Sequence, residues 1–285
     1  MRDVGDFELN KGVDAGGPQQ RSLGRKLLIA ALVIAIAGVA IYLGARYWRT
    51  TSREVRLQTE QAVVPSAGAS KPVAEPGDNI PLPPLDQMDP LVRELVAQLS
   101  SHPMVAAWLT TDGLVQNFTV IVINVAGGQT PAKHLRKLAP GAPFATVTRD
   151  GVSYIDARSY ERYDRYADAV AGLDARGTAR LYATLKPRIQ DAANELGERD
   201  DFNITLERAI RQMLATPIIE RPIEVKQAPV LWVYADPKLE GPSHAQRQLL
   251  RAGPRNVRLI QAKLREIAPH IGIAPETLPT QTVIR

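Results

Sequence analysis

Apolar positions fall into three regimes along the chain. Leu27 to Leu43 reads LLIAALVIAIAGVAIYL, apolar throughout and free of charge, and the run extends to Ala45. Residues 62–86 show no apolar period and contain Pro65, Pro72, Pro76, Pro81, Pro83 and Pro84 among Ala, Gly and Ser. From about Asp86 to Ala268 apolar residues recur at helical spacing, broken by short runs of strand character.

The globular stretch resolves into elements. Asp89-Pro90 predicts a helix start, with Leu91, Leu95 and Leu99 on one face. Ser101-His102-Pro103 predicts a second start ahead of Val105, Trp108 and Leu109. Residues 114–126 carry enough β-branched side chains for a strand, yet Leu114, Phe118, Ile121, Val122 and Val125 follow helical spacing up to a Gly127-Gly128 stop, so a helix is expected. Asp150-Gly151 between two apolar runs predicts a hairpin. Helices are expected at about 158–173, 176–196 and 203–215. A second small hairpin is expected from Glu224–Lys226 and Val230–Tyr234. A capping box from Ser243 to Gln246 opens a helix to Ala252 that ends at Gly253-Pro254, and a last helix runs to Ala268. The expected fold class is mainly α with a small β component of one or two short hairpins, preceded by one N-terminal transmembrane helix. The expected organisation is a disordered tail (1–22), the transmembrane helix (27–45), a juxtamembrane segment and proline-rich linker (46–85), a mostly helical soluble domain (86–268) and a C-terminal tail (269–285).

A bilayer core needs about 20 apolar residues, which 27–45 supplies. The span is longer than the usual core of a cleaved signal, and Ala45-Arg46-Tyr47-Trp48 is a poor cleavage site. Basic residues flank both ends, so charge bias does not orient it. A long domain translocates largely regardless of charge, and this favours a cytoplasmic N-terminus with the bulk outside. In a Gram-negative cell that places the domain in the periplasm, anchored in the inner membrane.

The chain has 285 residues, 45% hydrophobic and 23% charged, with a net charge of +5. This is globular composition and excludes a multi-span membrane protein. There is no cysteine, which excludes disulfides, thiolate metal sites and cysteine nucleophiles. His102, His134, His244 and His270 are not at ligand spacing, and no metal or cofactor site is expected. Neither a serine-nucleophile motif nor a phosphate-binding glycine loop occurs. Glu198, Asp200 and Asp201 form an acidic run that reads best as a loop, with Asp201 or Asn203 capping the next helix. No catalytic residue is assigned.

Two segments are candidates for partner binding. The first is YIDARSYERYDRY (154–166), which holds four of the chain's eight tyrosines. On one continuous helix Tyr160 and Tyr163 share a face, with Arg162 and Arg165 on a flank. Tyr and Arg dominate interface hot spots, although a core-facing tyrosine edge with a salt-bridged solvent face fits the same pattern. The second is the basic face of the last helix, Arg255, Arg258 and Arg265, which suits an anionic partner or a merely solvated surface.

Five segments together resemble a bacterial family of single-pass membrane proteins catalogued as domain of unknown function 3014. They are LPPLDQMDPLVRELVAQLSSHP (82–103), AKHLRKLAPGAPF (132–144), YIDARSYERYDRY (154–166), LDARGTARLYATLKP (173–187) and LLRAGPRNVRLIQAKLREI (249–267). The resemblance implies a bacterial envelope protein with one span and one soluble domain. It implies no reaction and carries over no functional residue.

The expected function is a binding or scaffolding module, membrane-anchored in the cell envelope. Its expected partners are the bilayer through 27–45 and another envelope protein or a cell-wall polymer, with nucleic acid disfavoured. Two alternatives belong to other classes. One is a hydrolase or transferase on a cell-wall or lipid-linked substrate, using carboxylates such as Asp156, Asp164, Asp200 or Glu207. The other is a cytoplasm-facing domain whose basic last helix binds nucleic acid.

Overall fold

Ten α-helices and six short strands form the described part of the molecule. The computed structural model describes residues 74–97, 99–130, 138, 140–229 and 231–285. The expected transmembrane helix at 27–45 lies outside the described residues. No single helix among the described residues is long and apolar enough to cross a membrane.

The helical core is built around α3 (Leu114–Ala126), which buries Leu114, Val115, Phe118, Ile121, Val122 and Val125. A helix apolar on nearly every side belongs in an interior. Accordingly α1 (Met88–Ala97), α6 (Ala175–Glu195) and α7 (Phe202–Leu214) all pack on it. The short α2 (Pro103–Leu109) is capped by His102, whose Nδ1 accepts from the Met104 amide at 3.2 Å. The expected helix over 114–126 is therefore observed, and the strand character of its sequence yields to burial.

β1 (Thr146–Arg149) and β2 (Val152–Ile155) pair antiparallel around Asp150 (φ +50°) and Gly151 (φ +77°). Two successive positive φ angles are what a two-residue hairpin loop requires. β4 (Val225–Gln227) and β5 (Trp232–Tyr234) form the second hairpin. A bridge between Tyr154 and Glu224, with the Ile155 amide donating to Ile223 O at 3.0 Å, joins the two hairpins edge to edge. They cover a second, smaller core of Ile155, Ile219, Ile223, Val225, Tyr234 and Leu250.

Three differences from the sequence expectation matter for the site. First, the single helix expected at 158–173 is two: α4 (Arg158–Glu161) and α5 (Asp164–Ala171). At the break the chain tightens into i→i+3 bonds, the Tyr163 amide donating to Tyr160 O at 2.9 Å and the Tyr166 amide to Tyr163 O at 3.1 Å, and side chains bond the carbonyls there as well. Ser159 O accepts from Arg162 Nε at 2.9 Å, and Tyr160 O accepts from Asn256 Nδ2 at 3.2 Å. The face drawn on one continuous helix therefore does not exist.

Second, residues 269–285 are not a loose tail. They form 3-10 turns at Ala268–Ile271 and Pro275–Thr277, and end in β6 (Val283–Ile284), which pairs parallel with β3 (Ile218–Ile219). Third, the end of the proline-rich segment is docked. The Asp78 amide donates to Thr184 Oγ1 at 2.8 Å, and Arg188 donates to Pro83 O (2.7 Å) and Leu82 O (3.0 Å). Ile80, Leu82 and Leu85 pack against the main core. The docking point lies one turn before Pro187 in α6, where the ring removes the amide that would pair with Ala183 O.

Two further helices complete the fold. α9 (His244–Leu250) opens with the expected Ser243–Gln246 capping box. α10 (Pro254–Ile267) packs against α5, α6 and α7. The remaining short helix, α8 (Pro237–Glu240), follows β5 and is capped by Asp236.

Candidate functional site

The hairpins leave a narrow notch where they meet α4 and the end of α9. Phe144, Ile155, Arg162, Trp232, Tyr234 and Arg251 line it. Its enclosed space is only ≈ 10 Å³, about the room one water needs.

Arg162 is fixed on several sides. Besides Ser159 O, it donates to Ala142 O at 3.2 Å and to the Tyr163 hydroxyl at 3.3 Å. Its guanidinium lies 5.6 Å from the Phe144 ring centre and 5.0 Å from that of Tyr163. Planar guanidinium over an aromatic face is a favourable arrangement. Arg251 donates to Trp232 O at 3.3 Å and sits 5.7 Å from the Tyr234 ring centre. The Phe144 and Trp232 rings are 6.4 Å apart and tilted. Both arginines are half-buried, and among the described residues neither is in an ion pair.

The phenols around the notch are held protonated. Burial pushes Tyr160 and Tyr166 up to about 12, and raises Tyr163 and Tyr234 as well. The charges of Arg162 and Arg251 both pull Tyr163 partly back. The Tyr163 hydroxyl is thus within the field of both guanidiniums.

The residues singled out in the sequence are dispersed. Tyr160 packs its ring against Gly253 and the second core. Tyr163 is buried, and Tyr166 donates its hydroxyl proton to Leu138 O at 2.5 Å. Arg165 is exposed. The three arginines of α10 are engaged within the fold. Arg255 pairs with Asp168 at 2.7 Å and with Asp164 at 3.6 Å, Arg258 pairs with Glu220, and Arg265 donates to Pro279 O. Of the seven, only Arg162 lines the notch. Phe144, Trp232, Tyr234 and Arg251 were missed. The sparse aromatics flanking the hairpins were the available signal.

The carboxylates named for an enzyme each have their own setting. Asp156 takes two donors from Arg158, at 3.0 and 2.8 Å, and its pKa falls to about 2, chiefly because of that side chain and then the Arg158 amide. Asp164 accepts from Asn256 at 2.8 Å beside Arg255. Glu207 faces Arg211 at 3.6 Å, and Asp200 is exposed. Asp201 caps α7 through the Asn203 amide at 2.8 Å. Among the described residues no group of three or more His, Asp or Glu is placed to hold a metal.

The main core holds one apolar cavity of ≈ 30 Å³, between Trp108, Leu114, Phe118, Tyr182, Leu185 and Ile271. Trp108 Nε1 is buried without a hydrogen-bond partner.

The family model described as protein of unknown function (DUF3014) matches residues 114–268, over half of the chain. The chain belongs to this family. No curated protein and no solved structure matches it. The matched segment opens on the first residue of α3 and closes just after α10, so it contains the notch entire. The docked arm and α1 lie before it, and β6 lies after it.

Proposed function

We propose that this chain is a bacterial inner-membrane protein, anchored once through residues 27–45 with its N-terminus in the cytoplasm. Its helical domain acts in the periplasm as a binding or scaffolding module. The observation that supports this most is the docked arm. Glu75 donates its amide to His270 O at 2.7 Å and sets its carboxylate 3.3 Å from His270 Nδ1. With the Thr184 and Arg188 contacts, this ties the end of the proline-rich segment along α6 and the turn after α10. An arm joined to its domain over a length of chain fixes the point at which the chain leaves the domain. That suits a displayed module. Residues 74–84 then add no reach.

The alternative of a hydrolase or transferase needs its candidate carboxylates gathered in one cleft; Asp156 pairs with Arg158 and Glu207 with Arg211. The nucleic-acid alternative rests on the last helix, where Arg255 pairs with Asp168 and Arg258 with Glu220.

The test is topology in intact cells. Alkaline phosphatase fused after Arg285 should be active, and a fluorescent protein that matures only in the cytoplasm should stay dark at the same site. The reverse pattern overturns the proposal.

A further inference from the structure

We propose that the notch between Arg162 and Arg251 is a receptor for a single carboxylate carried by a peptide, with aromatic or apolar side chains of that peptide lying over Phe144 and Trp232. This rests on the reading of the domain as a binding module and gives that module a ligand.

Charge comes first. Neighbouring arginines have found carboxylates inside the fold: Arg247 with Glu240 at 2.9 Å, Arg255 with Asp168 at 2.7 Å, and Arg258 with Glu220. Among the described residues Arg162 and Arg251 have not, although both are half-buried and line one small space. Two partly desolvated cations facing one space are costly until an anion joins them.

Pre-organisation comes second. Arg162 is held by Ser159 O, Ala142 O, the Tyr163 hydroxyl and two rings, so ordering it for a ligand costs little. Its remaining N–H groups and those of Arg251 are fork-shaped donors that suit a carboxylate.

Size decides the carrier. The enclosed ≈ 10 Å³ takes the tip of one group and no more. A free small molecule would gain little burial there. A peptide gains its remaining contact on the rim, where the tilted Phe144 and Trp232 rings lie 6.4 Å apart. A phosphate is bulkier and fits the enclosed space less well.

The test uses the full chain in detergent micelles and a fluorescein-labelled five-residue peptide amide, with glutamate between two phenylalanines. Anisotropy should report saturable binding, weakened about tenfold or more when glutamine replaces glutamate. R251Q should weaken binding of the glutamate peptide by a similar factor and leave the glutamine peptide unaffected, while R251K recovers part of the loss. R162Q is the variant at risk of misfolding, because Arg162 also ties backbone carbonyls, so R251Q, checked by its thermal melt, carries the test. Equal binding of the two peptides, unchanged binding by folded R251Q, no binding at about 1 mM peptide, or displacement by inorganic phosphate at lower concentration than by acetate each overturns the proposal. A cytoplasmic domain that still binds the peptide would sink the location alone. A periplasmic one that does not bind it would sink the notch alone.

Discussion

Asp89 closes the N-terminus of a helix to which it does not belong. Its Oδ1 accepts from the Leu114 amide and its Oδ2 from the Gly113 amide, each at 2.8 Å, while Asp89 itself sits in the first turn of α1. Gly113, the residue before α3, has no side chain to do this. The carboxylate therefore satisfies two orphan amides and meets the positive end of the helix dipole. Arg93 steadies it from 3.4 Å and also donates to Leu109 O and Thr111 O. Asp89→Ala should cost about 1–3 kcal/mol, and Asp89→Asn, which keeps one acceptor, less. Urea unfolding followed by circular dichroism gives the order. Equal losses for the two variants would mean that the acceptor asparagine retains contributes nothing without the charge.

Gly253 has no room for a side chain. Its φ is +85°, and a Cβ there would lie 2.5 Å from Tyr160 Cγ. Gly253→Ala should destabilise by roughly 2–4 kcal/mol through backbone strain and the clash together. Adding Tyr160→Ala removes the clash and leaves the strain, so the double variant should lose less than the two single losses summed. Strict additivity in thermal or urea unfolding would show that the ring and the backbone do not interact.

The arm should detach without the domain unfolding. A Cβ at Gly77 would lie 2.5 Å from Thr184 N and 2.7 Å from Ala183 C, and backbone cannot yield as a flexible side chain can. Gly77→Ala should speed protease cleavage within 74–84 and raise amide exchange at Asp78, while α3 and α7 keep their protection. Loss of protection throughout the core would show that the arm is part of one cooperative unit.

Asp156 gives the acid limb a sign that can be checked. Its folded pKa is about 2 against 3.8 for a free aspartate, so the folded state holds fewer protons between those values. The stability it contributes is present above pH 3.8 and is lost as pH falls through about 2. A carboxyl-carbon NMR titration should place Asp156 near the lower value. Arg158→Gln should move it most of the way up, since the larger share comes from that side chain and the residue 158 amide remains. An unshifted Asp156 in the parent chain would contradict the pairing.

What could be read from the residues alone was local. Asp150-Gly151 prescribed a hairpin because a two-residue loop needs positive φ. Ser243 and Gln246 prescribed a cap because both reach amides within one turn. Leu114 to Val125 prescribed a buried helix by its period, and the flanking Gly127-Gly128 fixed its end. The family was legible for the same reason, since its segments are contiguous. Of the seven candidates read from the sequence, only Arg162 lines the notch.

The rest turned on partners far apart in the chain. Tyr160 O, at the break between α4 and α5, accepts from Asn256, 96 residues away in the chain, as well as from the Tyr163 amide. Arg255 and Arg258 looked like an open basic face until the fold brought Asp168 and Glu220 to them. Arg251 looked ordinary until the fold left it beside Arg162 with no carboxylate partner among the described residues. A helix or a tight turn is decided by steric and hydrogen-bonding terms that act over a few residues, and a sequence states those directly. Which charges are neutralised and which are left facing a ligand depends on a Coulomb energy that falls off over a few ångströms of space. Only the folded chain sets those distances.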